Sequence, residues 1–332
     1  MAEYVLYPGM LVASLLVIIG ACGLFTNGVE WTGKRMDLSH GATGSLLAAV
    51  GTALPETIVP VIALMSGKGG PDVAVGAIAG SPFMLSTLAM FVSGGAYYFS
   101  RAGGGRDTSF APEPSALTRD LGFFICIYLA AVLATFLPSG PARYALALGL
   151  AGAYIYYAKV TLSHEGEMAG KLDGLILSKV TGAGNNNGLI ALQVLLGLML
   201  IASGAHFFVL ALKKVSLMAG VPPVILSLLL APVATELPEM LNSTKWIRAG
   251  KDTLALGNVT GALVFQASFP VAIGVAFTPW ELDGTTMVSA LCALGMAGMM
   301  YAWVTARRSL PPYVLLAGGL SYAAFVVYVF AG

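Results

Sequence analysis

The sequence predicts an all-α polytopic membrane protein with ten transmembrane helices in two inverted five-helix repeats, whose second and seventh helices are interrupted. Its 332 residues are 57% hydrophobic and only 10% charged, whereas a soluble domain carries about 25% charged residues. Apolar stretches of roughly 20 residues, the length of a membrane-spanning helix, recur along the chain. The motif Thr-x-Leu-Pro-Glu occurs twice, at Thr52 to Glu56 and at Thr235 to Glu239, which indicates an internal repeat.

Ten apolar segments define the predicted helices, and short polar or glycine-rich connectors separate them. The segments are 8–32, 40–66, 72–99, 118–137, 141–162, 187–213, 221–247, 253–277, 284–306 and 311–331. The first repeat is assigned to residues 1–162, a connecting loop to 163–186, and the second repeat to 187–332. The sequence shows no basic, aromatic-interleaved patch typical of nucleic-acid binding. Its three cysteines lie far apart, without a metal-binding or redox spacing.

The lysines and arginines predict the orientation. Thirteen of the 17 are assigned to one side of the predicted membrane and four to the other. Because short cytoplasmic loops are enriched in these residues, the first side is predicted to be cytoplasmic. Both termini then lie outside, and the central connecting loop lies in the cytoplasm.

The alignment of the two halves predicts the symmetry. A shift of 183 residues places Thr52, Pro55 and Glu56 on Thr235, Pro238 and Glu239, and a shift of 181 places Gly76 on Gly257. Each half has five spans, an odd number, so the second half must enter the membrane from the opposite side. Inverted repeats are common in secondary transporters, whose site lies near the bilayer midplane between the halves.

The repeated motif predicts a cation site. Residues four apart share a helix face, so each motif presents a hydroxyl and a carboxylate together. Pro55 and Pro238 are expected to break or kink their helices, which frees backbone carbonyls as ligands. Such an all-oxygen shell suits calcium, sodium or protons rather than zinc or copper. The alternative is that Glu56 and Glu239 are buried structural acids.

These motifs resemble those of the calcium/cation antiporter superfamily, and in particular its prokaryotic sodium/calcium exchangers. That family carries G-T-S-x-P-E on the second helix of each repeat and G-N-x-x-G-S-N-x-x-N/D on the third. Here the first motif is Gly51 to Glu56, repeated at Ala234 to Glu239. The third-helix versions are Gly76 to Leu85 and Gly257 to Gln266.

The resemblance implies a set of cation-binding residues. It implies that Thr52, Glu56, Thr235 and Glu239 bind the transported cation, with Glu56 and Glu239 as the metal ligands, and that Ser81 and Gln266 face the ion. Three positions depart from the family pattern because they lack its side-chain oxygen: Ala53, Leu85 and Ala262.

Two further polar residues belong to the predicted site. Asn258 shares a helix stripe with Gln266 at multiples of four residues, where it lines the cavity or makes an interhelical hydrogen bond. Glu236 is a third carboxylate that the family pattern does not supply. Three neighbouring acids cannot all ionise cheaply in a poorly hydrated cavity. Glu236 therefore either links transport to protons or serves as a structural hydrogen-bond partner.

The predicted function is a secondary active antiporter that exports a divalent cation, most simply Ca²⁺, in exchange for Na⁺ by alternating access. A proton-coupled divalent cation exchanger of the same fold is one alternative, and a passive cation channel is another. No Ser-His, Cys-His or metal-ligand constellation supports an enzyme. No cofactor is expected, the partners are inorganic cations and the lipid bilayer, and the predicted location is a prokaryotic plasma membrane.

Three polar residues outside these motifs are also considered. Glu30, late in the first helix, is a gate or an interfacial acid, and the interfacial interpretation is favoured. His206 is expected to pack against a neighbour rather than to shuttle protons. Asn242 begins an Asn-x-Thr sequence, but its predicted cytoplasmic position argues against glycosylation.

Overall fold

The structure is a computed structural model that describes residues 2–53, 57, 64, 70–163, 173–182, 184–218, 220, 236–282 and 284–331. Within these ranges the chain is helical. The helices are α1 (Ala2–Arg35), α2 (His40–Ala42), α3 (Gly70–Met84), α4 (Met90–Ala102), α5 (Pro114–Leu133), α6 (Pro141–Leu162), α7 (Ile176–Thr181), α8 (Asn187–Met218), α9 (Leu237–Arg248), α10 (Asp252–Phe277), α11 (Gly284–Arg307) and α12 (Pro312–Ala331).

Wide π-helical turns occur in two of the helical segments. One, Thr43–Ala48, continues α2, and residues 49–53 follow it as α-helix. The other, Leu85–Ala89, joins α3 to α4 shortly after Pro82. Proline has no N–H to donate to the preceding turn. π-Turns mostly occur as single wide turns within α-helices, and many of them lie at functional sites. The third predicted span is therefore one continuous segment that carries a local irregularity.

Eight helices in the described part of the chain are long and apolar enough to cross a membrane. They coincide with eight of the ten segments predicted from the sequence. The other two segments, 40–66 and 221–247, run over residues outside the described ranges. The count of ten, the inverted relation of the halves and the interruptions at Pro55 and Pro238 therefore remain predictions.

Helices α1 and α8 form a closely packed pair that extends beyond the thickness of a bilayer core. At 1.5 Å per residue, α1 is about 50 Å long against about 30 Å of hydrocarbon. Glycines allow the close approach, because a Cβ at Gly197 would lie 2.9 Å from Cβ of Phe25 and one at Gly204 would lie 2.8 Å from Cγ1 of Ile18. Small residues bring helix backbones together in this way in membranes.

Helix α10 forms the centre of the bundle and packs against α3, α5, α6, α9 and the π-turn after α2. Most of its length is buried. At the crossing with the π-turn, a Cβ on Gly261 would lie 2.2 Å from the carbonyl oxygen of Ser45, and one on Gly44 would lie 2.5 Å from that of Leu254. This backbone contact fixes α10 beside the segment that carries Thr52.

One end of the bundle carries most of the described basic residues, and we call it the basic face. Here α1, α4 and α9 end, and α5 and α10 begin. Arg106, in the connector between α4 and α5, is buried and pairs with Asp252 of α10 at 2.6 Å. Its guanidinium also donates to the Ile247 carbonyl at 2.6 Å, so two connectors are held together.

The glycine contact at the centre can be tested by adding side-chain atoms. We expect Gly261→Val to lower the free energy of unfolding by at least about 1–3 kcal/mol, because the new atoms meet the Ser45 backbone, which cannot move aside without shifting the helix. The measurement is the thermal denaturation midpoint of the detergent-solubilised protein. Gly149→Val is the matched control, because Gly149 of α6 has no heavy atom within 4 Å of a Cβ position. Equal midpoints for the two variants would contradict this role.

Candidate cation site

Helix α9 begins at two acidic residues in the interior of the bundle. Glu236 occupies the position before its first turn, and Glu239 lies within that turn. Pro238 also lies in the first turn, where a missing N–H costs nothing. Negative charge is stabilised at a helix N-terminus by the partial positive charge of its free N–H groups. The local sequence thus places two carboxylates where the helix backbone favours them.

Glu239 is fully buried, and neither carboxylate oxygen has a hydrogen-bond partner. The hydroxyl of Thr52 lies beside this carboxylate, although it donates to the Ala48 carbonyl at 3.1 Å. Thr52 itself is fully buried. The structure thus brings together one predicted residue from each half of the chain.

Glu236 is also fully buried and points towards α10. Its Oε1 accepts a hydrogen bond from Nε2 of Gln266 at 3.2 Å, while its Oε2 has no partner. The hydroxyl of Ser81 on α3 approaches the same carboxylate. Glu236, Ser81 and Gln266 are therefore neighbours, as are Glu236 and Glu239.

Asn258 joins α10 to α9 one level nearer the basic face. Its Nδ2 donates to the backbone carbonyl of Glu239 at 3.2 Å and to Oγ of Ser243 at 3.1 Å. Its Oδ1 has no partner, and neither has Oε1 of Gln266. Asn258 and Gln266 therefore both make interhelical hydrogen bonds, which was one of the two interpretations of this stripe. In each residue the amide oxygen has no hydrogen-bond partner.

The described part of the site presents five buried oxygens without partners. They are Oε2 of Glu236, both carboxylate oxygens of Glu239, Oδ1 of Asn258 and Oε1 of Gln266. A buried acceptor without a donor costs about 1–3 kcal/mol, and more when it is charged. An all-oxygen set of carboxylates and amides is suited to hard cations such as Ca²⁺ and Na⁺.

Two predicted ligands, Glu56 and Thr235, lie outside the described residues. Their place in the site remains a prediction. Leu85 and Ala262, at which the family pattern would supply an oxygen, are fully buried. Among the described residues, no three His, Cys, Asp or Glu side chains cluster as a metal site, so any further carboxylate must come from elsewhere in the chain.

Sequence reasoning missed a buried charge network beside the site. The carboxylate of Asp120 on α5 is fully buried and pairs with Arg119 at 2.8 Å. It accepts hydrogen bonds from Ser45 at 2.6 Å, Thr260 at 2.7 Å and Tyr157 at 2.9 Å. Arg119, one of the thirteen basic residues assigned to the cytoplasmic side, lies near the start of α5. The one sequence feature that points to this network is the adjacent Arg-Asp pair at the start of an apolar segment.

Glu30 lies at the basic face, near the level expected of an interfacial acid, and its side chain is paired. Glu30 is buried there and accepts hydrogen bonds from Nε1 of Trp246 at 2.8 Å and from Nζ of Lys251 at 2.5 Å. These contacts tie α1 to α9 at the basic face. His206 stacks edge-on against the ring of Phe207 and is exposed on the bundle surface.

The family model for sodium/calcium exchanger proteins matches residues 6–162 and 189–331. The chain belongs to this family. The resemblance found in the sequence motifs is thereby confirmed. The protein is an integral membrane protein with an exchanger-family antiporter fold, and it is not an enzyme.

Three relatives show how far the similarity extends. A putative antiporter CaxA from Alkalimonas amylolytica is 24% identical over 82% of this chain and 83% of its own length. The inner membrane protein YrbG of Escherichia coli is 22% identical over 95% and 94%. A structure of the sodium-calcium exchanger NCX_Mj superposes with a TM-score of 0.75 at 19% identity, covering 97% of this chain and 98% of that one. This structural similarity shows that the chain shares the fold of that exchanger.

The network around Asp120 yields a stability prediction. We expect Asp120→Leu to reduce the free energy of unfolding by about 3–5 kcal/mol, because it leaves the buried Arg119 guanidinium without its counter-charge. Thermal denaturation in detergent is the measurement. The double variant Arg119→Leu/Asp120→Leu should recover part of the loss.

The control for this experiment is Asp107→Leu, which removes an exposed aspartate and should leave the midpoint near that of the unmodified protein. A wild-type midpoint for Asp120→Leu would show that the buried ion pair does not hold the bundle together.

Proposed function

We propose that the protein is a secondary active antiporter that exports a divalent cation, Ca²⁺, in exchange for Na⁺ by alternating access. The observation that carries this proposal is the pair of buried carboxylates, Glu236 and Glu239, three of whose four oxygens have no hydrogen-bond partner inside a membrane bundle. Ionisable groups at such depth are costly unless they are paired, hydrated or bound to a cation. The fold shared with a sodium-calcium exchanger supports the same function.

The proposed ligand set combines both halves of the chain. Glu56 and Glu239 are the metal ligands, and they are assisted by Thr52, Ser81, Thr235, Glu236, Asn258 and Gln266. Ca²⁺ takes about six to eight oxygen ligands in a flexible geometry. Carboxylates, hydroxyls, amides and the backbone carbonyls freed near the two prolines supply that number without nitrogen or sulfur.

The coupling mechanism follows from charge. An empty site holds negative charge, which is costly to expose to a hydrophobic barrier during a conformational change. One Ca²⁺ ion neutralises two carboxylates, and so do two monovalent cations. The loaded site can therefore change its access from one side of the membrane to the other, whereas the empty site cannot. Export of one cation then depends on import of the other.

The orientation is part of the proposal. Because cytoplasmic loops are enriched in lysine and arginine, the basic face is the cytoplasmic one. Both termini then lie outside, and residues 163–186 lie in the cytoplasm between halves 1–162 and 187–332. The two matched segments, 6–162 and 189–331, agree with these halves. The membrane is the prokaryotic plasma membrane.

A proton-coupled exchanger of the same fold is the second candidate, and Glu236 is the observation that favours it. The family pattern has a hydroxyl at this position. The carboxylate here is buried beside Glu239, and only one of its oxygens is hydrogen-bonded. A divalent ion balances only two of the three acids, so the third must take a proton or a monovalent ion.

We expect Glu239→Gln to abolish divalent transport while the protein still folds, because the amide keeps the shape but removes the charge that holds the ion. Glu56→Gln should have the same effect. The measurement is calcium-45 uptake into proteoliposomes under an imposed sodium gradient and then under a pH gradient, with magnesium and manganese as competitors.

The matched control is Glu281→Gln, which removes an exposed carboxylate and should leave uptake unchanged. Normal exchange by Glu239→Gln at saturating calcium would exclude the carboxylate site. Uptake that needs no ion on the opposite side of the membrane would instead identify a passive channel.

We expect Glu236→Gln to flatten or shift the pH profile of calcium transport, because the third carboxylate can then no longer gain or lose a proton. Glu236→Ser restores the family's hydroxyl and should make exchange more dependent on sodium. The measurement is the initial rate of calcium-45 uptake between about pH 5 and 9 at constant sodium gradient. A pH profile identical to that of the wild type, at full expression, would leave Glu236 a structural hydrogen-bond partner of Gln266.

A further inference from the structure

Ser243 of α9 is a fully buried serine whose hydroxyl bonds to two groups of α10. Its Oγ donates its single proton to the Ala255 carbonyl at 3.0 Å, and the same oxygen accepts a hydrogen bond from Nδ2 of Asn258 at 3.1 Å. A hydroxyl has one proton and two lone pairs. The bond to Ala255 therefore leaves Ser243 only an acceptor towards Asn258.

These contacts fix the orientation of the Asn258 amide. Its Nδ2 also donates to the backbone carbonyl of Glu239 at 3.2 Å, and a carbonyl can only accept. An amide nitrogen carries two hydrogens, so the bonds to Ser243 and Glu239 use both of them. In the reversed orientation, the amide oxygen would lie against these two acceptors. The nitrogen side is therefore held, and Oδ1 is the atom that is left over.

The left-over oxygen of Asn258 is buried and has no partner. Such an atom costs about 1–3 kcal/mol, and a bound cation would remove this cost. Ala262, one turn further along α10, offers no side-chain oxygen. In the proposed ligand set, this part of α10 therefore depends on the Asn258 amide to supply one.

The short connection between α9 and α10 keeps Ser243 in place. Helix α9 ends at Arg248 and α10 begins at Asp252, so residues 249–251 alone join them. Asp252 is further held by its ion pair with Arg106. Ser243 and Ala255 lie close to this connector on either side, and their hydrogen bond fixes the register of the two helices. The serine hydroxyl is thus a fixed acceptor.

We propose that Ser243 is a positioning residue of the cation site, which holds the amide of Asn258 so that it can offer a cation only its oxygen. The inference deepens the proposed function and rests on it, because it takes Asn258 to be a ligand of a metal cation. Without the hydroxyl, one hydrogen of Nδ2 loses its acceptor. The amide can then rotate, and its N–H becomes a donor that competes with the cation for the oxygens of the ligand set.

The experiment is a double-mutant cycle on Ser243 and Asn258. Calcium-45 uptake into proteoliposomes is measured against calcium concentration for the wild type, both single alanine variants and the double variant. We expect Ser243→Ala to raise the half-saturating calcium concentration about fivefold and Asn258→Ala to raise it about tenfold, the size of one lost ion–dipole contact. In the Asn258→Ala background, Ser243→Ala should add less than about twofold, because it acts only through the amide.

Two further variants separate this role from a loss of packing or stability. Ser243→Cys nearly keeps the volume of the side chain, but a thiol is a weak acceptor, so it should raise the half-saturating concentration as Ser243→Ala does. Ser93→Ala is the matched control, because Ser93 of α4 is fully buried and its hydroxyl donates to the Ala89 carbonyl of its own helical segment at 2.8 Å. It should lower the thermal midpoint about as much as Ser243→Ala does, with unchanged calcium dependence.

A fivefold effect of Ser243→Ala that persists in the Asn258→Ala background would refute the positioning role. Wild-type calcium dependence of Ser243→Ala or Ser243→Cys would refute it as well. If Asn258→Ala abolishes uptake, equilibrium calcium-45 binding to the detergent-solubilised proteins supplies the four constants of the cycle. A wild type that fails to exchange cations refutes the proposed function, whereas normal wild-type exchange with additive effects refutes only the present inference.

Discussion

The structure depends on one electrostatic constraint, which is that a carboxylate in a water-poor interior must be neutralised. Glu236 and Glu239 are fully buried, and three of their four oxygens have no hydrogen-bond partner. An uncompensated charge at such depth would cost several kcal/mol. The helix N-terminus of α9 offsets part of this cost, and in the proposed function the transported cations neutralise the remaining negative charge.

The helix contacts around the site explain how so polar a centre stays in place. Gly261 lets α10 touch the backbone of the π-turn at Ser45, and Ser45 in turn donates to Asp120. Asp120 also binds residues of α6 and α10. Four segments therefore meet at one buried ion pair. No buried side-chain polar atom of this network lacks a partner, in contrast with the neighbouring candidate site.

The basic face is closed by contacts of a different kind. Arg106 with Asp252 links two connectors, and Glu30 with Trp246 and Lys251 links α1 to α9. Ion pairs can break and re-form, whereas the glycine contacts between α1 and α8 hold those two helices together as a unit. The pair is attached to the rest of the bundle both through these polar contacts and through a buried apolar cluster that includes Phe25, Ala48 and Trp246.

The sequence by itself determined the class and the eight spans that the described part of the chain contains, and it predicted the chemistry of the site. Long apolar segments specify membrane helices because the bilayer requires them, and the repeated Thr-x-Leu-Pro-Glu marks the acids because charge is so rare at that depth. Only the tertiary structure decided which polar atoms lack partners. The sequence placed Glu30 and Arg119 near the ends of apolar segments but did not show that they are buried and paired. It likewise marked Asn242 only as an unused glycosylation sequence. Burial and hydrogen bonding depend on residues distant in the chain, such as Trp246 for Glu30, and local sequence does not encode that proximity.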